Sequence, residues 1–272
     1  MIALPDRPSA PKLADRVALV FGGGASGPGW GNGKSACVAY ARAGAKIVVV
    51  DRVRAAAEDT AHMIAIEGGK AIALSADVTK TAAISAAVEA AVAQYGRIDI
   101  LHNNVGITDM GALEDITEAR WNKVMDVNLT AVVRTCRRVI PLMQHQGKGV
   151  IVNISSLAGA AINRYPCYSY FASKAGLNHL TKALAVQYAP YNIRANAIMP
   201  GMMDTPMVQQ QIVGQYTDAE AMGRARAAQV PMGRQGTGWD VAHAAVFLAS
   251  DDAAYITGVC LPVDGGLSCL AG

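Results

Sequence analysis

The sequence predicts an α/β fold, a single Rossmann-like doubly wound parallel sheet of about seven strands flanked by helices. Three observations carry that expectation. Short β-branched runs alternate with longer helical stretches along the chain. Some strand runs, such as Ile47-Val48-Val49-Val50, are continuously apolar, as expected where helices cover both faces of a sheet. The first strand feeds into a glycine-rich run, Gly22-Gly23-Gly24-Ala25-Ser26-Gly27-Pro28-Gly29-Trp30-Gly31-Asn32-Gly33, and a helix follows it.

Taken in order, the strand–helix pairs are Val17–Phe21 with Lys34–Ala43, Lys46–Val50 with Ala55–Glu67, and Ala71–Leu74 with Ala82–Tyr95. Ile98–Asn103 precedes one long helix, Glu118–Gln146, and Gly149–Ile154 precedes Tyr168–Tyr188. Ile193–Met199, a helix Trp239–Ala249 and a last strand Val259–Val263 complete the set. Residues 202–236 break the rhythm with Gln209-Gln210-Gln211 and several Met and Gly. An excursion after the carboxyl end of a strand is placed to cover a ligand, so this stretch reads as a substrate lid. Residues 1–15, with Pro5, Pro8 and Pro11, read as an extended arm, and 16–272 as one dinucleotide-binding and catalytic domain.

Composition narrows the function classes. The 272 residues are 52% hydrophobic and 17% charged, which suits a buried core rather than disorder. A formal charge of +3 without a basic block gives no reason to expect a nucleic-acid partner. Arg134, Arg137 and Arg138 sit at helical spacing and read as a solvated or subunit-facing edge. The five cysteines are odd in number, scattered and without a CxxC, which favours reduced thiols in a cytoplasmic protein over disulfides or a zinc site. The five histidines show no metal-ligand spacing, so no metal is expected. No stretch is long and apolar enough to span a membrane.

Glycines between a first strand and a helix let the backbone approach a pyrophosphate, whose charge is favoured at the helix N-terminus. Gly33-Lys34-Ser35 is not an NTPase loop, because Pro28 stands where that pattern needs glycine. Asp51 ends the second strand, where a carboxylate can accept hydrogen bonds from both ribose hydroxyls and repel a 2′-phosphate. That favours NAD, with NADP the lesser choice; the neighbouring Arg52 is the argument for NADP. Asp77-Val78 and Asn103-Asn104-Val105-Gly106 end the third and fourth strands, at the edge where open α/β sheets bind ligands.

Tyr170 and Lys174 stand four residues apart, so a helix projects both from one face. A cation about 4 Å from a phenol, at an effective dielectric near 20, favours the phenolate by roughly 4 kcal/mol, and burial opposes it. Such a pair can exchange a proton with an alcohol or carbonyl oxygen.

Together these residues resemble the short-chain dehydrogenase/reductase family, in its classical branch, from Arg16 to Leu267. The resemblance implies that Asp77 and Val78 contact adenine and that Asn104, Val105 and Gly106 line the cofactor. It implies Asn128 and Ser156 as catalytic residues beside the YxxxK pair, Tyr170 and Lys174. Pro200, Gly201 and Thr205 match the segment that holds the nicotinamide, and Asp264-Gly265-Gly266 the C-terminal ending. Gly22 aligns with the first glycine of the family's motif, and Gly31 and Gly33, flanking Asn32, with the other two. About five residues, including Trp30, stand inserted before Gly31. Phe21 replaces the usual Thr, and one extra residue separates Ser156 from Tyr170, which leaves Ser155 as the fallback. Tyr168 has no Lys at i+4 and reads as structural.

The resemblance implies NAD-dependent hydride transfer between the nicotinamide and a carbon bearing hydroxyl or carbonyl. Tyr170 would exchange the proton, Lys174 lower its pKa and bond the nicotinamide ribose, Ser156 bond the substrate oxygen, and Asn128 hold a relaying water. The alternatives are an enoyl-type reductase, which the inserted loop resembles and the Tyr–Lys spacing disfavours, and a non-catalytic NAD(H)-sensing protein. Met202, Met203, Met207, Met222 and Tyr216 make the lid apolar, either for an apolar or aromatic small-molecule substrate or as ordinary core and interface residues. A homotetramer or dimer is also implied, with helices 118–146 and 168–188 packing across subunits.

Overall fold

In the computed structural model, which describes residues 11–162, 165–212, 214 and 216–270, seven parallel strands form one sheet. They are β1 (Val17–Phe21), β2 (Lys46–Asp51), β3 (Lys70–Ser75), β4 (Ile100–Asn103), β5 (Gly149–Ile154), β6 (Ile193–Pro200) and β9 (Cys260–Val263), in the order β3-β2-β1-β4-β5-β6-β9. The chain winds outward from β1 to β3 and then crosses to β4. The crevice between β1 and β4 is therefore the switch point where such sheets bind nucleotides. Phe21 pairs with Val50 on one side and Asn103 on the other, so three strands end level and their following loops emerge together.

Both faces of the sheet are covered. Ile47 and Val49 point into one apolar layer with Leu13, Tyr40 and Val241, whereas Val48 and Val50 point into the other with Ile84, Val139 and Leu177. Period-two alternation with neither face wet makes β2 uniformly apolar in sequence. The first layer is built by α1 (Asn32–Arg42), α2 (Arg54–Ile66) and α9 (Gly238–Ala249); the second by α3 (Thr81–Tyr95), α5 (Ala131–Gln146) and α6 (Tyr168–Tyr188). On α5, Val132, Cys136, Val139, Ile140 and Met143 form the buried stripe. Arg134 and Arg138 lie off it and pair with Asp126 and Glu89.

Three differences from the sequence reading stand out. The helix expected over 118–146 is divided into α4 (Glu118–Met125), a π-helical turn Asp126–Thr130 and α5. A π turn adds a residue without breaking the helix, so the sequence still reads as one continuous helical stretch. Residues 202–236 hold β7 (Met203–Asp204), α7 (Pro206–Ile212), α8 (Ala219–Ala227) and β8 (Gly236–Thr237), with β7 and β8 paired as a second small sheet. Such short pieces carry too few periods to be read in sequence. The arm expected over residues 1–15 lies outside the described residues up to position 10. Residues 12–15 form a turn rather than an extended segment, because Leu13 is fully buried and donates its N–H to the Ala43 carbonyl. No helix among the described residues is long and apolar enough to cross a membrane.

A buried polar chain ties α5, β4, β5 and α6 together. Thr135 Oγ1 donates to Asn103 Oδ1 at 2.8 Å, Asn103 Nδ2 to Asn153 Oδ1 at 2.9 Å, and Asn153 Nδ2 to Thr181 Oγ1 at 2.9 Å. Thr181 Oγ1 in turn donates to the Leu177 carbonyl at 2.7 Å. Asn153→Leu strands a donor on Asn103 and an acceptor on Thr181, and each orphan costs about 1–3 kcal/mol. Urea unfolding is expected to show a loss of about 2–5 kcal/mol, and a loss near zero would show that the chain carries no weight.

Candidate active site

At the carboxyl end of β1, Gly22 and Gly23 both donate to the Val50 carbonyl, at 2.8 and 3.0 Å. Gly22 takes a φ of +77°, where side chains are strained, and its carbonyl accepts from Asn104 Nδ2 at 2.8 Å. A Cβ on Gly33 would lie 1.8 Å from that carbonyl, so only glycine lets α1 start this close to β1. Gly31 is the N-cap of α1 in extended conformation, with no side-chain cap bond and no acidic residue in the first turn. The first N–H groups and the positive end of the helix dipole are left for an anion. Asn32 Oδ1 is buried there without a partner.

Asp51 is fixed at the end of β2. Its Oδ2 accepts from Gly24 N at 3.1 Å and its Oδ1 from Val53 N at 3.0 Å, while Arg52 is exposed. A Cβ on Gly24 would come within 2.8 Å of Oδ2, so the glycine loop and the carboxylate share one close-packed corner. Asp77 accepts from Thr79 N and Thr79 Oγ1 at 2.9 and 2.8 Å, bonds that hold its carboxyl below the usual range against the cost of burial. Val78, Val105, Phe21 and Asn103 border one small cavity beside it. Two glycines that admit no side chain, a helix N-terminus and a braced carboxylate at one sheet edge fit a dinucleotide.

The second half of the site follows β5. Ser155 is buried, with its Oγ donating to the Lys174 carbonyl at 3.2 Å and its N–H to the Ile198 carbonyl at 2.8 Å. It is spent on structure. Ser156, extended, accepts from Ala158 N at 3.1 Å and hydrogen-bonds the Tyr170 phenol, so the register favours Ser156 over the fallback. Lys174 is 3% exposed and donates its Nζ to the Ile154 carbonyl at 2.8 Å, 5.6 Å from the centre of the Tyr170 ring. Burial lowers its pKa to about 8.

The expectation that Lys174 pulls the Tyr170 phenol down is corrected here. Burial dominates and pushes the phenol up; the Ser156 bond opposes it, and the neighbouring Cys167 adds to it. The ammonium bonds Ile154, not the phenol oxygen. Asn128 also differs from expectation. It is fully buried in the π turn, with Oδ1 accepting from Ile107 N at 2.9 Å and Nδ2 donating to the Ile107 carbonyl at 2.9 Å and to Ser173 Oγ at 3.0 Å. Its carboxamide braces the loop after β4 against α6, leaving neither amide hydrogen for a water. Gly106 lies in that loop, where a Cβ would stand 3.3 Å from Lys174 Nζ.

Pro200 ends β6 and Gly201 donates to the Val263 carbonyl at 3.0 Å; a Cβ on Gly201 would strike Asp264 at 2.6 Å. Thr205 is buried just beyond β7. Tyr168 is 42% exposed, outside the Tyr170 cluster. Tyr165, Cys167 and Met222 form a buried cluster with Met110, Tyr170, Phe171, Val208 and Tyr216. Of the lid residues singled out in sequence, Met222 and Tyr216 join it, while Met203 belongs to the α1–α9 core layer. Tyr165, Cys167 and Met110 went unread. The first two precede Tyr170 by only five and three residues, a proximity that could have flagged them.

The stretch 26–30 is held from two sides. Gln210 Nε2 donates to the Ser26 carbonyl at 2.7 Å, and the Trp30 and Trp239 rings lie 4.8 Å apart.

A family model described as enoyl-(acyl carrier protein) reductase matches residues 27–268. The 2-(S)-hydroxypropyl-CoM dehydrogenase 3 of Xanthobacter autotrophicus is 36% identical over 259 residues, spanning 95% of this chain and 99% of that one. The 2,5-dichloro-2,5-cyclohexadiene-1,4-diol dehydrogenase of Sphingobium indicum is 38% identical over 265 residues, spanning 95% and 98%. The crystal structure of a short-chain type dehydrogenase/reductase from Mycobacterium marinum superposes with a TM-score of 0.87 at 32% identity, covering 95% of this chain and 98% of that one.

Lys174 gives a signed pH prediction for the cofactor-free protein. Its folded pKa of about 8 lies below the ordinary 10.5. Between those values the unfolded chain holds more protons, so this residue's contribution to stability rises with pH; below 8 both states are charged and the burial cost stands in full. The stability of wild type minus that of Lys174→Met is expected to rise by roughly 3 kcal/mol across the window. A flat difference would mean that Lys174 is not buried as a cation.

Proposed function

The chain belongs to the short-chain dehydrogenase/reductase family of oxidoreductases, and on that premise we propose an NAD-dependent interconversion of a secondary alcohol and its ketone with Tyr170 as the proton-exchanging group. The observation that carries this reading is the convergence of Tyr170, Ser156 and Lys174 at one sheet edge, beside the glycine corner and Asp51. The two named relatives reported above are dehydrogenases of substrates bearing alcohols, which supports CH–OH chemistry.

In the oxidative direction Tyr170, as phenolate, takes the hydroxyl proton while the carbinol hydrogen leaves with its electron pair and the carbon becomes a carbonyl. A bound nicotinamide supplies the acceptor for that hydride, and the donor in reduction. Ser156 holds the substrate oxygen through its hydroxyl. Lys174 supplies the cation nearest Tyr170 and a donor for the nicotinamide ribose, with Gly106 leaving room beside its Nζ. Asn128 is a positioning residue, tying Ile107 and Ser173 in register. Gly22, Gly31, Asn32 and Gly33 hold the pyrophosphate, Asp51 the ribose, Asp77 and Val78 the adenine, and Asn104, Val105, Pro200, Gly201 and Thr205 the nicotinamide half. Residues 202–236 serve as the lid.

The description of the matching family model favours a second reading, an enoyl reductase. The Tyr–Lys spacing of four on one helix, with Ser156 on the phenol, supports the alcohol reading over it. A homo-oligomer is also proposed, supported by Val186 on α6, which is 80% exposed.

Purified protein given cyclopentanol, cyclohexanol or an activated enoyl thioester, each with NAD(H) or NADP(H), separates these readings. Alcohol-dependent reduction of NAD+, with no oxidation of NADH by the enoyl compound, is the expected result. Asp51→Ala is expected to raise KM for NAD+ by about tenfold or more, the worth of a lost charge-assisted pair of hydrogen bonds. Better turnover with NADP+ would overturn the use made of Asp51, and enoyl reduction alone would reverse the assignment.

A further inference from the structure

Arg226 lies on α8 and is 3% exposed. Two other arginines of the same region, both at the surface, have carboxylates: Arg224 pairs with Glu220 and Arg234 with Asp240. The buried arginine, which needs a countercharge most, has none among the described residues. Its Nε donates to Gln235 Oε1 at 2.7 Å, one terminal nitrogen to the Met203 carbonyl at 3.3 Å, and the other to the Tyr165 hydroxyl at 3.5 Å. All three acceptors are neutral, and the last two contacts are long for hydrogen bonds. A cation removed from water is ordinarily met by an anion.

The surroundings point to where that anion comes from. The Tyr165 hydroxyl is shared with the Tyr216 hydroxyl at 2.5 Å, and both tyrosines belong to the cluster that contains Tyr170. Met222, one turn before Arg226 on the same face of α8, belongs to it as well. The rest of that cluster is Cys167, Met110, Phe171 and Val208, an apolar group with a cation at its margin.

We propose that Arg226, with the hydroxyls of Tyr165 and Tyr216, is a specificity subsite for a carboxylate carried by the alcohol substrate. The substrate class is then an apolar-bodied hydroxy acid, with its carbinol at Tyr170 and its carboxylate at the guanidinium. This rests on the alcohol dehydrogenase reading. Planar guanidinium and carboxylate match in shape as well as charge, which an ammonium does not.

Cyclohexanecarboxylate and its methyl ester are a charged and a neutral probe with the same ring, and neither needs turnover. Calorimetric titration of the full chain, with and without NADH, is expected to show the carboxylate binding roughly ten- to a hundredfold more tightly than the ester. Chloride at high concentration should weaken the carboxylate alone. Arg226→Gln should remove the preference, and Arg226→Lys should keep part of it. Equal binding of acid and ester by wild type, which holds whether or not either variant folds, overturns the proposal; so does a preference that persists in folded Arg226→Gln. A carboxylate preference with no alcohol turnover would sink the dehydrogenase reading instead, and alcohol turnover with no carboxylate preference would sink only the subsite.

Discussion

The buried ammonium of Lys174 on the carbonyl of Ile154 is the contact on which the rest of the site depends. It fastens α6 to the carboxyl end of β5, and Ser155 closes the same joint from the other side by donating to the Lys174 carbonyl. With that joint fixed, Ser156 is presented at the sheet edge and Tyr170 stands one helical turn before Lys174, on the same face. The π turn extends the arrangement: Asn128 reaches Ser173 on α6 and Ile107 after β4. Holding a lysine out of water costs free energy, seen in the fall of its pKa to about 8. The buried Asn–Thr chain across α5, β4, β5 and α6 supports the elements that carry this cost.

Burial raises the Tyr170 phenol above its ordinary value. A phenol held protonated at neutral pH is a ready donor to a carbonyl and a reluctant base toward an alcohol. The Ser156 hydrogen bond opposes that rise.

Much of the fold was legible because its signals are local. The strand spans β1 and β5 and the helix α6 match the sequence reading residue for residue, since β-branched runs and long helical stretches survive without tertiary context. The four-residue Tyr–Lys spacing and the placement of Asp51 were legible for the same reason. What escaped was set by tertiary contact. The π turn at Asn128 leaves the helix continuous, and only the structure shows its side chain turned inward onto Ile107 and Ser173. α7 and α8 are short and polar on their outer faces, so Met222 and Arg226 could not be assigned a face from sequence. That the Lys174 carbonyl captures the Ser155 hydroxyl is likewise a long-range fact.

The most direct measurement is the pH profile of alcohol oxidation by wild type and Tyr170→Phe, with NADH binding followed alongside. The account predicts that the wild-type rate climbs toward alkaline pH. It predicts that Tyr170→Phe lowers the rate by about 10²–10⁴-fold at every pH while NADH still binds. A variant that keeps its rate within a few-fold of wild type, with the same pH profile, would contradict the assignment of Tyr170 and with it the reading of the site.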